Sequence, residues 1–124
     1  MLRRIGLRTS EAGVTVTIVD FLDRKIIDAT NIQEMGDELF ALVDKESRRD
    51  IVLNFYNVEF LSAAGLNKVI ILERKIKASR GVLRLCNLRP EIYEVFVISR
   101  LNQLFEIKGT EGEALMNWSV PAAV

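Results

Sequence analysis

The stretch Ile51–Leu72, "IVLNFYNVEFLSAAGLNKVIIL", changes pattern three times, and its reading decides the fold. "IVLNF" (Ile51–Phe55) is a short apolar run rich in strand formers, the signature of a central strand covered on both faces. "YNVEF" follows as a turn in which Asn57 tolerates a left-handed backbone. Leu66, Val69, Ile70 and Ile76 then mark one face of a helix, and Ile71 and Leu72 widen its apolar arc. Ser62 stands at the start of that helix, where its hydroxyl accepts from the backbone N–H of Gly65 or Ala64. Glu73 and Lys77 form an i,i+4 pair. Lys75, Lys77 and Arg80 suit the negative end of the helix, and Gly81 suits the residue just past it.

Working outward, "VTVTIVDFL" (Val14–Leu22) alternates as a strand, with Val14, Val16, Ile18 and Asp20 on one parity. "RIGLRTSEAG" before it reads as a shorter strand ending in a turn at Glu11 to Gly13, so the two form a hairpin. In "TNIQEMGDELFALVDKE" the period becomes helical, through Ile32, Met35, Leu39, Leu42 and Val43. Thr30 and Gln33 resemble a capping box that starts this helix, and Gly36 permits close packing on a sheet. Downstream, "VLRLC" is a strand, and "LRPEIYEVFVIS" is a helix opened by Pro90 and carrying Ile92, Val95, Phe96 and Ser99. "QLFEI" is a last short strand. "TEGEALMNW" is a short helix with Thr110 and Glu113 as its capping box, held down by Trp118. A hairpin followed by alternating helices and strands predicts an α/β fold, a mixed sheet of about five strands packed with about four helices. Residues 1–118 form one domain, and 119–124 read as a flexible tail.

The composition narrows the function. The 124 residues are 49% hydrophobic and 27% charged, with 17 basic residues balancing 17 acidic ones. Zero net charge argues against a general nucleic-acid binder. No apolar run approaches the roughly 20 residues of a membrane span, and the N-terminal segment lacks the h-region of a secretion signal, so cytoplasm is the expected location. The absence of histidine removes Ser-His and Cys-His nucleophile pairs and most zinc sites. The single cysteine, Cys86, reads as a core residue. There is no metal-ligand spacing, phosphate loop or nucleophile elbow. Charge clusters such as "DKE" and "ERK" read as solvated helix faces. No catalytic residue, metal or cofactor is expected. Two residues remain, Ser62 and Asp28, each just ahead of a helix and after a strand. The plain reading is a helix cap and a dipole-complementing acid. The topology puts both at one end of the sheet, where a partner surface can form.

The order of these segments resembles the STAS domain family, specifically the stand-alone anti-sigma factor antagonists of bacteria. "KIIDATNIQEM" resembles the family's G-x-L-D-x-x-x-x-x-x-L. "IVLNFYNVEFLSAAGLNKVI" resembles the strand and D-S-S-G-L helix start of its signature. "LRLCNLRPEIYEVFVISRLNQLFEI" resembles the proline-led helix that runs into T-G-L-x-x-L-F-x-I. The match runs from about Ile5 to Trp118 and implies a STAS-type mixed sheet. It also implies a non-enzymatic switch protein that binds an anti-sigma factor, often a serine kinase of the histidine-kinase ATPase fold, and so releases a sigma factor. The kinase phosphorylates a serine at the second helix start and a phosphatase restores it.

The resemblance places Ser62 on the family's aspartate, Ala63 on the phospho-accepting serine and Ala64 on the residue after it. Asn54 stands where an aspartate is usual, and Lys25 and Arg100 stand on usual glycines. The implied partner surface is Asp28, Ser62, Ala63, Ala64 and Asn67, with position 63 unable to accept phosphate. Three explanations fit: a constitutive binder, Ser62 as substitute acceptor, or an engineered replacement of serine at 63. The alternative function is a STAS subunit, never phosphorylated, of a lipid-transport ABC complex or of a stress-signalling scaffold.

Overall fold

The computed structural model describes residues 3–11 and 13–118. The tail expected at 119–124, and Ala12 in the expected hairpin turn, lie outside them. Strand β1 (Ile5–Glu11) pairs antiparallel with β2 (Thr15–Phe21), in register from Ile5 opposite Phe21 to Glu11 opposite Thr15. The chain continues through β3 (Lys25–Ile26), α1 (Ala29–Asp44), β4 (Asp50–Asn54), β5 (Phe60–Leu61), α2 (Ala63–Ala78), β6 (Val82–Cys86), α3 (Pro90–Ile98), β7 (Glu106–Lys108) and α4 (Glu111–Leu115). The main sheet has the order β1-β2-β4-β6-β7, and every pairing after the hairpin is parallel. A separate two-stranded parallel ladder joins β3 to β5. The mixed sheet and four helices are as expected; the small ladder is not, because two-residue strands have no periodicity to read.

Strand β4 is central and covered on both faces. Ile51 and Leu53 join the larger core with Leu39 and Leu42 of α1, Val69 and Leu72 of α2, and Ile92 and Phe96 of α3. Val52 faces the other way, into a smaller core with Val16, Ile18, Cys86, Ala114 and Trp118. Alternation puts successive side chains on opposite faces, which is why the Val16–Ile18–Asp20 parity points toward α4. At the end of that row Arg8 binds both Asp20 (2.7 and 2.8 Å) and Glu111 (3.1 and 2.6 Å), and Asn54 donates to Glu111 Oε1 at 2.9 Å. This network ties α4 across the sheet. The Arg8 guanidinium, with help from Asn54, holds the Glu111 carboxyl below its ordinary range. The Arg84 guanidinium lies 4.5 Å from the Trp118 ring, which fixes the last turn as expected of this tryptophan.

Several local expectations are corrected. Helix α1 starts at Ala29 with Asp28 as its N-cap; Gln33 is not part of a capping box but donates to Asp37 at 3.0 Å. Gly36 faces α2 rather than the sheet, since a Cβ there would lie 2.8 Å from Lys68 Cδ. Asn57 is not in the left-handed region; its amide donates to the carbonyls of Phe21 and Leu22, both at 3.2 Å. The end of α2 is a Schellman closure in which Gly81 N–H donates to Ile76 O (2.8 Å) and Arg80 N–H to Lys77 O (3.0 Å). Arg80, not Gly81, takes the left-handed conformation, at φ 60°. Gly81 is required for a different reason: a Cβ on it would sit 2.1 Å from the carbonyl oxygen of Arg49. Leu101–Gln103 form a 3₁₀ turn, so the last strand begins only at Glu106. Glu73 of "ERK" is not solvated. It pairs with Lys77 at 3.5 Å but is only 4% exposed, because it stands four residues after Val69 and three before Ile76 on the buried face.

Candidate functional site

The β3–β5 ladder brings two helix starts together. Lys25 pairs with Phe60 and Ile26 with Leu61, and Ser62 N–H donates to Ile26 O at 3.0 Å. Each short strand then runs into the cap of its helix. Asp28 Oδ1 accepts from Asn31 N–H at 3.0 Å at the start of α1, and Ser62 Oγ accepts from Gly65 N–H at 3.1 Å at the start of α2. Both caps have extended backbones, as an N-cap requires. Gly65 permits the close fit. A Cβ on it would fall 2.8 Å from Ile26 Cγ2 and 2.9 Å from Leu61 Cδ1, so any side chain would push α2 off the ladder.

The link into this corner is pinned from below. Phe55 is buried against Phe21 with ring centroids 4.7 Å apart, and Val58 is buried beside it. Arg24 O accepts from Glu59 N–H at 2.7 Å and from Phe60 N–H at 3.2 Å, while the Arg24 guanidinium meets the Glu59 carboxylate at 2.6 Å. That contact holds the Glu59 carboxyl below its usual range. Arg89 Nε donates to Val58 O at 3.1 Å from the far side.

The structure therefore brings all five sequence-predicted residues to one region. Asp28, Ala63, Ala64 and Asn67 are exposed and Ser62 is half-buried. Neither helix has an acidic residue in its first turn, so the start of α2 offers its positive dipole end with only a neutral hydroxyl against it. Added negative charge there is tolerated by the helix itself. Ala63 carries no hydroxyl and takes no phosphoryl group. Ser62 does carry one, and to act as a nucleophile its Oγ must first turn away from Gly65 N–H.

Sequence reading missed the apolar ground around these polar caps. Ile27 is 58% exposed, Phe60 55% and Tyr56 74%, and the Lys25 ammonium sits 5.6 Å from the Phe60 ring centroid. A cleft of about 330 Å³ lies next to Phe60 and Leu61, closed on its far side by Arg89, Ile92 and Val95. Phe60 falls in the segment that reads as a turn, and no periodic signal marks a lone exposed aromatic. Elsewhere the chemistry is sparse. Burial first, then the nearby Glu111 and Asp20 charges, push the Cys86 thiol up to about 12, so it stays protonated and unreactive in the core. Among the described residues no group of three or more acidic or cysteine side chains is placed to hold a metal, and no helix is long and apolar enough to cross a membrane.

The family model described as STAS domain matches residues 13–114. BtrV of Bordetella bronchiseptica, which carries the name of an anti-sigma factor antagonist, is 33% identical over 89 residues, covering 72% of this chain and 76% of that protein. A solved anti-sigma-factor antagonist (STAS) domain protein from Planctomyces limnophilus superposes with TM-score 0.78 at 21% identity, covering 94% of this chain and 98% of that one. The Bacillus cell fate determinant SpoIIAA, solved in its phosphorylated form, superposes with TM-score 0.67 at 20% identity over 90% of this chain and 96% of that one.

Proposed function

This chain belongs to the STAS domain family, and on that premise we propose that it is an anti-sigma factor antagonist whose binding surface is the paired helix start around Asp28 and Ser62. The observation that carries this reading is the β3–β5 ladder, which sets two capped helix N-termini side by side with Ala63 and Ala64 exposed between apolar neighbours. Such a corner suits a protein partner: exposed Ile27, Tyr56 and Phe60 supply area, and Asp28 and Asn67 supply directional contacts. The partner is an anti-sigma factor, and the finer reading is that it is a serine kinase of the histidine-kinase ATPase fold.

Position 63 sets the regulation. A phosphoserine carries about −1.5 to −2 charges at pH 7, tolerable at a helix start in water but costly when pressed into a contact. Ala63 keeps position 63 permanently neutral, so the chain binds constitutively and phosphorylation does not release it at this position. Ser62 is held in its capping role. Purification of the tagged chain from its native cell, followed by identification of what accompanies it, tests the assignment. An ATPase of kinase fold is the expected companion; an ABC ATPase in its place overturns the anti-sigma reading.

A further inference from the structure

Strand β5 is open along one edge. Its ladder with β3 uses Phe60 N–H, which donates to Arg24 O at 3.2 Å, and Ser62 N–H, which donates to Ile26 O at 3.0 Å. Backbone groups alternate in direction along a paired strand, so the N–H and C=O of Leu61, between those two, point away from β3. Neither has a hydrogen-bond partner among the described residues. The cleft of about 330 Å³ runs along this edge, with Arg89, Glu91, Ile92 and Val95 as its opposite wall. Phe60 (55% exposed) and Val95 (42%) give it apolar flanks. Of its charges, Glu59 is held by Arg24 at 2.6 Å, whereas Arg89 and Glu91 are exposed and form no ion pair among the described residues. Arg89 spends its Nε on Val58 O, which leaves the outer end of its guanidinium for another acceptor.

We propose that this edge receives an extended segment of the anti-sigma factor, which enters the cleft and adds a third strand to the β3–β5 ladder. The proposal rests on the reading of the adjoining corner as the partner surface and enlarges that surface, since Leu61 runs directly into Ser62. An unpaired strand edge is a template for another extended chain. A residue laid antiparallel opposite Leu61 exchanges both N–H···O bonds with it. Main-chain pairing of this kind supplies affinity, and the walls of the cleft supply selection. The segment places an apolar side chain between Phe60 and Val95, a carboxylate on Arg89 and a basic group on Glu91. A helix or a lipid surface has no spare backbone N–H and C=O to pair with those of Leu61, so the edge specifies extended polypeptide.

Amide hydrogen exchange, read residue by residue on the full chain alone and in complex with the protein that co-purifies with it, tests the edge. In the free chain the Leu61 amide is expected to exchange at least about tenfold faster than those of Phe60 and Ser62, and in the complex to slow by at least about tenfold. Val95→Glu, on the cleft wall, should weaken the partner at least about tenfold. Val97→Glu, as exposed on α3 but not lining the cleft, should change affinity less than about twofold. Circular dichroism confirms that both variants are folded. A partner that slows Ala63 and Ala64 but leaves Leu61 fast overturns the added strand while the anti-sigma reading stands. An ABC ATPase as the companion overturns the anti-sigma reading, and with it the identity of the segment. Leu61 protection that grows with the concentration of the free chain assigns the edge to a second copy and overturns the proposal, as does equal weakening by the two variants.

Discussion

Ser62 is the residue on which a purely structural role and a regulatory one diverge, and two substitutions separate them. Ser62 Oγ accepts from Gly65 N–H at 3.1 Å with the residue half-buried, and α2 has no acidic side chain in its first turn to compensate if that bond is lost. Ser62→Ala therefore removes one cap, at a cost of about 1 kcal/mol. Unfolding entropy near the midpoint is about 2.1 cal/mol/K per residue, so a chain of 124 residues changes by about 0.26 kcal/mol per degree, and Tm falls by about 4 °C. Ser62→Asp behaves differently. Aspartate caps as well as serine, and its charge faces the positive end of α2, so Tm stays within about 2 °C of wild type. Partner affinity should move the other way, nearly unchanged for Ser62→Ala and weakened for Ser62→Asp, which adds charge to the contact. Thermal unfolding by circular dichroism and calorimetric titration read the two effects. A Tm unmoved by alanine and lowered several degrees by aspartate would show that Ser62 is no cap, and the reasoning about its occupied oxygen would fail.

Three further outcomes follow from single contacts. Gly81→Ala places a methyl 2.1 Å from the Arg49 carbonyl oxygen, the same oxygen that accepts Val82 N–H at 2.9 Å where β6 begins beside β4; the cost should be about 3 kcal/mol by urea denaturation, and a loss under about 1 would contradict the close approach. Arg80→Gly relieves a left-handed residue at φ 60°, partly offset by the added freedom of the unfolded chain, so it should stabilise by about 0.5–1 kcal/mol; destabilisation would argue against that backbone. Glu73 is raised above its ordinary range, first by burial and then by Glu106, against the lowering effect of Lys77, and its Oε2 has no hydrogen-bond partner. Its ionised form therefore burdens the fold above the folded pKa, and the burden vanishes below the unfolded one. Glu73→Gln should gain stability relative to wild type as pH rises through the carboxylate range, and match it in acid; curves that stay parallel from acid to neutral pH would refute this.

The elements with long periodic patterns were legible in the sequence. Helices α1 and α2, the β1–β2 hairpin, the buried strand β4, the Ser62 cap and the Thr110–Glu113 box all stand where residue chemistry put them. What escaped was set by tertiary contact. The β3–β5 ladder is too short for periodicity, yet it joins the two helix starts. Asp28, read as a dipole partner, displaced Thr30 as the cap because the strand before it delivers the chain two residues earlier. Arg100, on a position the family resemblance assigns to glycine, takes a left-handed φ of 60°, a conformation its side chain gives no signal of in the sequence. Phe60 read as a turn residue and the apolar residues of α3 as a helix face, and neither reading shows the exposure, since apolar character alone does not say whether a neighbour arrives to cover it.

The central claim is that the exposed start of α2 is where the anti-sigma factor rests and where negative charge is felt. Calorimetric titration of the co-purifying anti-sigma factor with wild type and Ala63→Glu, both checked for equal Tm, tests it most directly. The account predicts at least about tenfold weaker binding for Ala63→Glu with the fold unchanged. Equal affinity for the two proteins would contradict it.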